Sequence, residues 1–234
     1  MTEIKASTEL ASIRQPIELT TSDGELLVGE LAKAIDPSGD VILFLHPLPT
    51  HGGFMDSHIL RKAANRLPAM TGISVFRFNT RGTESPHGKS SGEFDGGDKE
   101  RFDLEAAFEF LKPQFDRIWL VGWSFGTELV LKYGWQYPIA GAVLLSPPLH
   151  RTTNDELLRW NEVQAPLVAL IPELDDFLTE GPAREKFSVI EEIDIQVVEG
   201  AKHLWVGETY TREVLNRIVK LIAPAKSPLP TEWA

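Results

Sequence analysis

The residues with the clearest capacity for chemistry lie in Gly122-Trp123-Ser124-Phe125-Gly126. A serine between two glycines, preceded by an apolar run and followed by helical periodicity, reads as a strand–turn–helix junction. The turn is sharp, so small residues must flank the serine where backbone and helix approach closely. The hydroxyl then stands at the carboxyl end of a strand and at a helix N-terminus, which favours negative charge. Given a base to take its proton, such a group attacks a carbonyl carbon. A helix-capping serine with glycines for packing would carry the same five residues. The chemical reading therefore depends on partners elsewhere in the chain.

Six histidines are available: His46, His51, His58, His87, His150 and His203. In sites built on this junction the chain order is nucleophile, acid, base, which leaves His150 and His203. His150 lies just past an apolar strand at 142–145, too early to leave room for an acid after the next strand. His203 ends Val198-Glu199-Gly200-Ala201-Lys202-His203, a loop after the last predicted strand. The acid is expected after the strand at 167–171, in Pro172-Glu173-Leu174-Asp175-Asp176-Phe177. Asp175 is preferred, Asp176 is the alternative and Glu173 the third choice; spacing alone does not separate the two aspartates. The acid would fix the histidine tautomer and stabilise its cation. An oxyanion further needs two backbone N–H donors. Phe125 supplies one. The other comes from the loop at 46–53, where Pro47 and Pro49 have no N–H and Leu48 and Thr50 do. Leu48, just past the strand end, is preferred.

These groups need a frame that brings distant loops to one edge. Segments 17–21 and 26–32 read as strands joined by the turn Ser22-Asp23-Gly24, an antiparallel hairpin. From Val41 onward, continuous apolar runs alternate with helical periodicity. Strands are expected at 41–45, 74–78, 118–121, 142–145, 167–171 and 193–198, and helices at 57–68, 99–112, 124–136, 152–160, 181–188 and 208–222. Such alternation predicts an α/β domain with a mainly parallel central sheet and helices on both faces. The expected organisation is a loose leader over 1–14, one domain over 15–222 and a Pro-containing tail over 223–234. Only about 21 residues separate Leu145 from Leu167, too few for a substantial cap domain, so an open, shallow site is expected.

Composition narrows the alternatives. The chain has 234 residues, enough for one domain with a sizeable core, and a formal net charge of −11, which argues against nucleic acid and anionic membrane surfaces as partners. With no cysteine, disulfides and thiolate chemistry are excluded. The first residues lack the apolar core of a signal peptide and no apolar run is long enough to span a bilayer, so a cytoplasmic location is expected. His46, His51, Asp56 and His58 match no common zinc spacing, Asp95-Gly96-Gly97-Asp98 lacks the ligand pattern of an EF-hand, and no phosphate-binding glycine loop is present. No metal and no cofactor are expected. Arg81 follows a strand and reads either as facing the site or as pairing with Asp95 or Asp103, the structural ion pair being preferred, and Trp123 and Trp205 read as either packing or pocket-lining residues.

The chain resembles the small, lidless bacterial α/β-hydrolases of the dienelactone-hydrolase and serine-aminopeptidase-like group over residues 25–222. The resemblance rests on ordered segments: Leu45-His46-Pro47 with Gly52-Gly53, Phe76-Arg77-Phe78-Asn79-Thr80-Arg81-Gly82, Ser91-Gly92-Glu93-Phe94-Asp95, the junction at Ser124, Leu174-Asp175-Asp176, and Gly200-Ala201-Lys202-His203. It implies the α/β-hydrolase fold and hydrolysis of an ester, thioester or amide of a small-molecule acyl substrate through a Ser124-His203-Asp175 triad, most simply as a carboxylesterase. In the family pattern the acid comes three residues after a glycine that closes the strand. Pro172 replaces that glycine here, and three residues on is Asp175. The rival expectation is a non-catalytic binding protein on the same scaffold; the ordered Ser, Asp and His argue against it.

Overall fold

The computed structural model describes residues 2–233. Strands β1 (Ile13–Thr20) and β2 (Leu26–Lys33) form the antiparallel hairpin. Gly24 supplies the left-handed residue at its turn, with φ 96°. The apolar runs become β3 (Asp40–Leu45), β4 (Ser74–Phe78), β5 (Arg117–Trp123), β6 (Gly141–Leu145) and β7 (Leu167–Pro172), followed by β8 (Asp194–Val198). Every residue of β3, β4, β6 and β7 is buried, as expected for strands covered on both faces.

The eight strands make one sheet in the order β1-β2-β4-β3-β5-β6-β7-β8. From β4 to β8 neighbouring strands are parallel; β2 is antiparallel to both β1 and β4. The chain passes from β3 to β4 on one side and then to β5 on the other. The carboxyl ends of β3 and β5 therefore lie side by side, with Leu45 in register with Gly122. Loops leaving adjacent strands in opposite directions open a crevice at this switch point.

Helices α1 (His58–Thr71) and α6 (Glu208–Ile222) cover one face, over Ile42, Phe44, Val75 and Val121. Helices α2 (Glu100–Leu111), α3 (Phe125–Tyr133) and α5 (Glu180–Phe187) belong to the core on the other face, which includes Leu43, Phe76, Leu120 and Ile171. Between β6 and β7 stand only the five-residue α4 (Asn154–Leu158), capped reciprocally by Thr153 and Glu156, and one 3-10 turn, Arg159–Glu162. Among the described residues no cap domain covers the sheet's carboxyl edge. Among the described residues no helix is long and apolar enough to cross a membrane.

The ends of the chain differ from the sequence expectation of a loose leader and a tail. Thr2–Glu3 pairs antiparallel with Glu232–Trp233. Ile4, Leu10, Leu229 and Trp233 belong to the core packing around α1 and α6. The Leu10 N–H donates to the Asn65 carbonyl at 2.8 Å, and the Leu229 N–H to the Asn216 side chain at 2.8 Å. The apolar residues are single and scattered among polar ones and prolines, so no periodicity announces them, yet each finds a place on the outer helices.

Two arginines are buried on the hairpin side. Arg77 bonds Glu30 at 2.7 Å and also pairs with Asp56. Arg81 bonds Asp103 through Nε and Nη2 at 3.0 and 2.8 Å. Its expected ion pair is therefore with Asp103 and not Asp95, and Asp23 of the hairpin turn joins it at 2.8 Å. The Asp103 side chain is wholly buried, and burial pushes its carboxyl up to about 6 against the pull of Arg81. Removing the cation alone leaves that buried carboxylate only the Arg81 backbone N–H, at 2.8 Å, in compensation. Arg81→Met is expected to cost about 3–5 kcal/mol in urea unfolding, and adding Asp103→Leu to recover much of the loss. A single variant with wild-type stability would contradict this account of the hairpin's attachment.

Candidate active site

Ser124 occupies the turn between β5 and α3 with φ 52° and ψ −115°, a conformation costly for any residue but glycine. Its N–H donates to the Leu145 carbonyl at 2.8 Å, and its carbonyl accepts from the Thr127 N–H at 2.9 Å and hydroxyl at 2.6 Å. The flanking glycines permit the turn by contact distance. A Cβ on Gly122 would stand 2.4 Å from the Gly126 carbonyl oxygen, and one on Gly126 would stand 2.1 Å from that of Leu45. The helix start thus lies directly against the end of β3.

Ser124, His203 and Asp175 come together. His203 Nε2 is 2.9 Å from Ser124 Oγ. His203 Nδ1 is 2.9 Å from Asp175 Oδ2 and 3.1 Å from Oδ1. The carboxylate accepts from Nδ1–H, which leaves the Nε2 lone pair facing the serine hydroxyl. Asp175 and His203 are both buried. Asp175 Oδ1 also accepts the Phe177 N–H at 2.7 Å and the Leu178 N–H at 3.3 Å. Asp176 is exposed, and Glu173 accepts the Gly200 N–H at 2.7 Å. His150 is exposed, and its backbone N–H is bound by Glu128 at 2.6 Å.

The loop after β3 is folded back on itself. The Leu48 carbonyl accepts from the N–H groups of His51 and Gly53, both at 3.0 Å. Gly53 lies so close that a Cβ there would stand 2.1 Å from the Pro47 oxygen. Neither Leu48 nor Phe125 donates its N–H to another group among the described residues. His46 anchors the loop. Its Nε2 accepts the Thr80 N–H at 3.0 Å, so Nδ1 carries the proton and donates to the Pro47 carbonyl at 2.6 Å. Burial holds the imidazole down to about 4 from its ordinary 6.5. His46 is thus a neutral brace for the segment that carries Leu48. The nearby His58 and Asp56 are engaged elsewhere, with Leu204 and Arg77, and among the described residues no three metal-ligating side chains converge.

Several supporting residues escape sequence reasoning. The His203 carbonyl accepts from the Ser146 hydroxyl at 3.0 Å and the Trp123 indole at 3.2 Å. The next carbonyl, of Leu204, lies 2.7 Å from His58 Nε2. Trp123 and Trp205 are both buried, and the Trp123 ring meets that of His58 nearly at right angles, centroids 5.1 Å apart. Glu128, buried in the first turn of α3, binds the backbone N–H groups of His150 and Arg151 and the Thr152 hydroxyl. Ser146 and His58 reach the His203 loop across 57 and 146 residues of sequence, and no local pattern marks them.

No family model matches the chain. It is 26% identical over 191 residues to an uncharacterized protein of Rickettsia prowazekii, covering 77% of this chain and 78% of that one. Among solved structures it is similar to a lidless α/β serine hydrolase of Xanthomonas campestris, with 22% identity, TM-score 0.75, and 96% of this chain and 100% of that one covered. A serine hydrolase homologue of Coxiella burnetii gives 22% identity and TM-score 0.76 over 92% of this chain and 100% of that one. The esterase Pf2001 of Pyrococcus furiosus gives 21% and 0.75 over 91% and 93%. The chain has the lidless α/β-hydrolase fold.

The neutral His46 has a consequence for stability. Its folded pKa lies below its unfolded value, so the unfolded chain binds the proton first as pH falls. The contribution is intact above about pH 6.5 and is lost progressively toward pH 4, about 3 kcal/mol in all. Between pH 7 and 4.5, His46→Gln is expected to lose stability less steeply than wild type in urea titrations. Equal slopes would show that His46 is not held neutral.

Proposed function

We propose that the chain is a serine hydrolase that cleaves carboxylic esters of small molecules through a covalent acyl-serine. One observation carries the reading: Ser124 Oγ, His203 and Asp175 stand in a continuous relay of 2.9 Å contacts, in the order nucleophile, base, orienting acid.

In this mechanism His203 Nε2 takes the Ser124 proton as Oγ attacks the substrate carbonyl. Asp175 holds the Nδ1–H tautomer and balances the positive charge that develops on the ring. The new oxyanion is met by the N–H groups of Phe125 and Leu48, at the positive end of the α3 dipole. His203 then gives its proton to the leaving alcohol, and the Ser124 acyl ester remains. Water enters, loses a proton to the same nitrogen and releases the acid. The strained turn at Ser124 supports the reading, since it keeps Oγ clear of the helix and facing His203. The absence of a cap domain leaves the site open, which suits short or extended substrates. Thioesters and amides pass through the same steps, the amide with a poorer leaving group.

Nitrophenyl acetate and butyrate test the proposal. Ser124→Ala is expected to lower kcat by about 10⁴–10⁶-fold. Asp175→Asn is expected to lower it by about 10⁴-fold, while Asp176→Asn leaves it within twofold. Full hydrolysis by Ser124→Ala would contradict the proposal.

A further inference from the structure

The two loops that carry Asp175 and His203 also carry a large share of the exposed apolar surface. Among the described residues eight large apolar side chains are exposed, and four of them, Leu174, Phe177, Leu204 and Val206, belong to these loops. Single apolar residues scattered over a surface need no explanation, whereas a concentration around one site does.

Phe177 is the most firmly placed of the four. Its N–H donates to Asp175 Oδ1, its ring centroid lies 4.5 Å from that of His203, and His150 flanks it at 5.8 Å. Held between two imidazoles, it is still 55% exposed. Its ring offers the relay neither a charge nor a hydrogen bond. Leu204 follows His203 directly, with its carbonyl fixed by His58 and its side chain equally open.

The acyl-serine mechanism dictates what meets this surface. During acylation the bond from Ser124 Oγ to the carbonyl carbon forms, and the bond from that carbon to the alcohol oxygen breaks. The serine proton ends on the alcohol oxygen, delivered by His203 Nε2, so that oxygen must come within about 3 Å of the nitrogen. The oxyanion faces the Phe125 and Leu48 N–H groups, and the acyl substituent takes the remaining direction, away from His203. The group carried by the alcohol oxygen, and not the acyl chain, therefore lies on the His203 rim.

We infer that Phe177, together with Leu204 next to His203 in the chain, is the specificity surface for the alcohol portion of the substrate and selects esters of apolar, arylalkyl alcohols. The inference rests on the acyl-serine reading and adds the side of the ester that is recognised. A benzyl group laid on a preformed ring loses apolar surface to water at no charged group's expense, enough for about a tenfold preference.

Methyl, butyl and benzyl acetate share one acyl group, and kcat/KM reports their acylation. Wild type is expected to favour benzyl over methyl acetate by about tenfold. Phe177→Ala should remove most of that preference, lowering kcat/KM for benzyl acetate several times more than for methyl acetate, and Phe177→Leu should restore part of it. The ranking of methyl esters from acetate to hexanoate should not change. An equal loss on every alcohol, or a shift confined to the acyl series, would overturn the inference. Benzyl alcohol serves as a binding probe that needs no turnover. By ligand-observed NMR it should bind Ser124→Ala and lose binding when Phe177→Ala is added. Hydrolysis of all three acetates without alcohol preference would overturn the specificity surface and leave the acyl-serine standing. Binding of benzyl alcohol that depends on Phe177, with no ester turned over, would do the reverse.

Discussion

The site depends on how closely α3 can begin against the ends of β3 and β5. A Cβ on Gly126 would meet the Leu45 oxygen at 2.1 Å, and one on Gly122 would meet the Gly126 oxygen at 2.4 Å. With both positions bare, the chain turns in one residue, and that residue takes the strain. Ser124, at φ 52°, is left with its hydroxyl at a helix N-terminus and its N–H tied to β6 through Leu145. The same approach sets the start of α3 against the Leu45 and His46 carbonyls, so one steric constraint positions both the Ser124 hydroxyl and the first turn of the helix beside it.

The partners arrive from the far half of the sheet. Parallel strands β5, β6, β7 and β8 deliver their carboxyl-end loops to one edge, and hydrogen bonds between those loops set the final distances. Asp175 is turned inward by the N–H groups of Phe177 and Leu178, while the His203 backbone is held by Ser146, Trp123 and, one residue on, His58. Each of these bonds contributes on the order of 1 kcal/mol. Their larger effect is geometric, because a relay of 2.9 Å contacts tolerates little drift in any loop.

Much of this is legible in the sequence, for identifiable reasons. Strands buried on both faces leave continuous apolar runs, so the sheet and the places of its loops can be read directly. The strain at Ser124 demands glycines, and the glycines are visible. Asp175 and Asp176 are harder, since both are carboxylates one residue apart. The turn after β7 separates them: the Asp175 side chain accepts the Phe177 and Leu178 N–H groups and faces His203, while Asp176 is exposed. The partners of Arg81 illustrate the limit. Asp103 is 22 residues away and within reach of a local guess, whereas Asp23 is 58 residues away on the hairpin. Ser146, His58 and Glu128 act through contacts between segments distant in sequence, and the chain ends through isolated apolar residues. Nothing periodic encodes any of them.

The proposed reaction requires that Ser124 be a nucleophile activated by His203. Reaction with a fluorophosphonate followed by peptide mass spectrometry tests it most directly. One adduct per chain is expected, on the peptide bearing Ser124, absent in Ser124→Ala and formed far more slowly in His203→Gln. An adduct on another residue, or an equal labelling rate in His203→Gln, would contradict it.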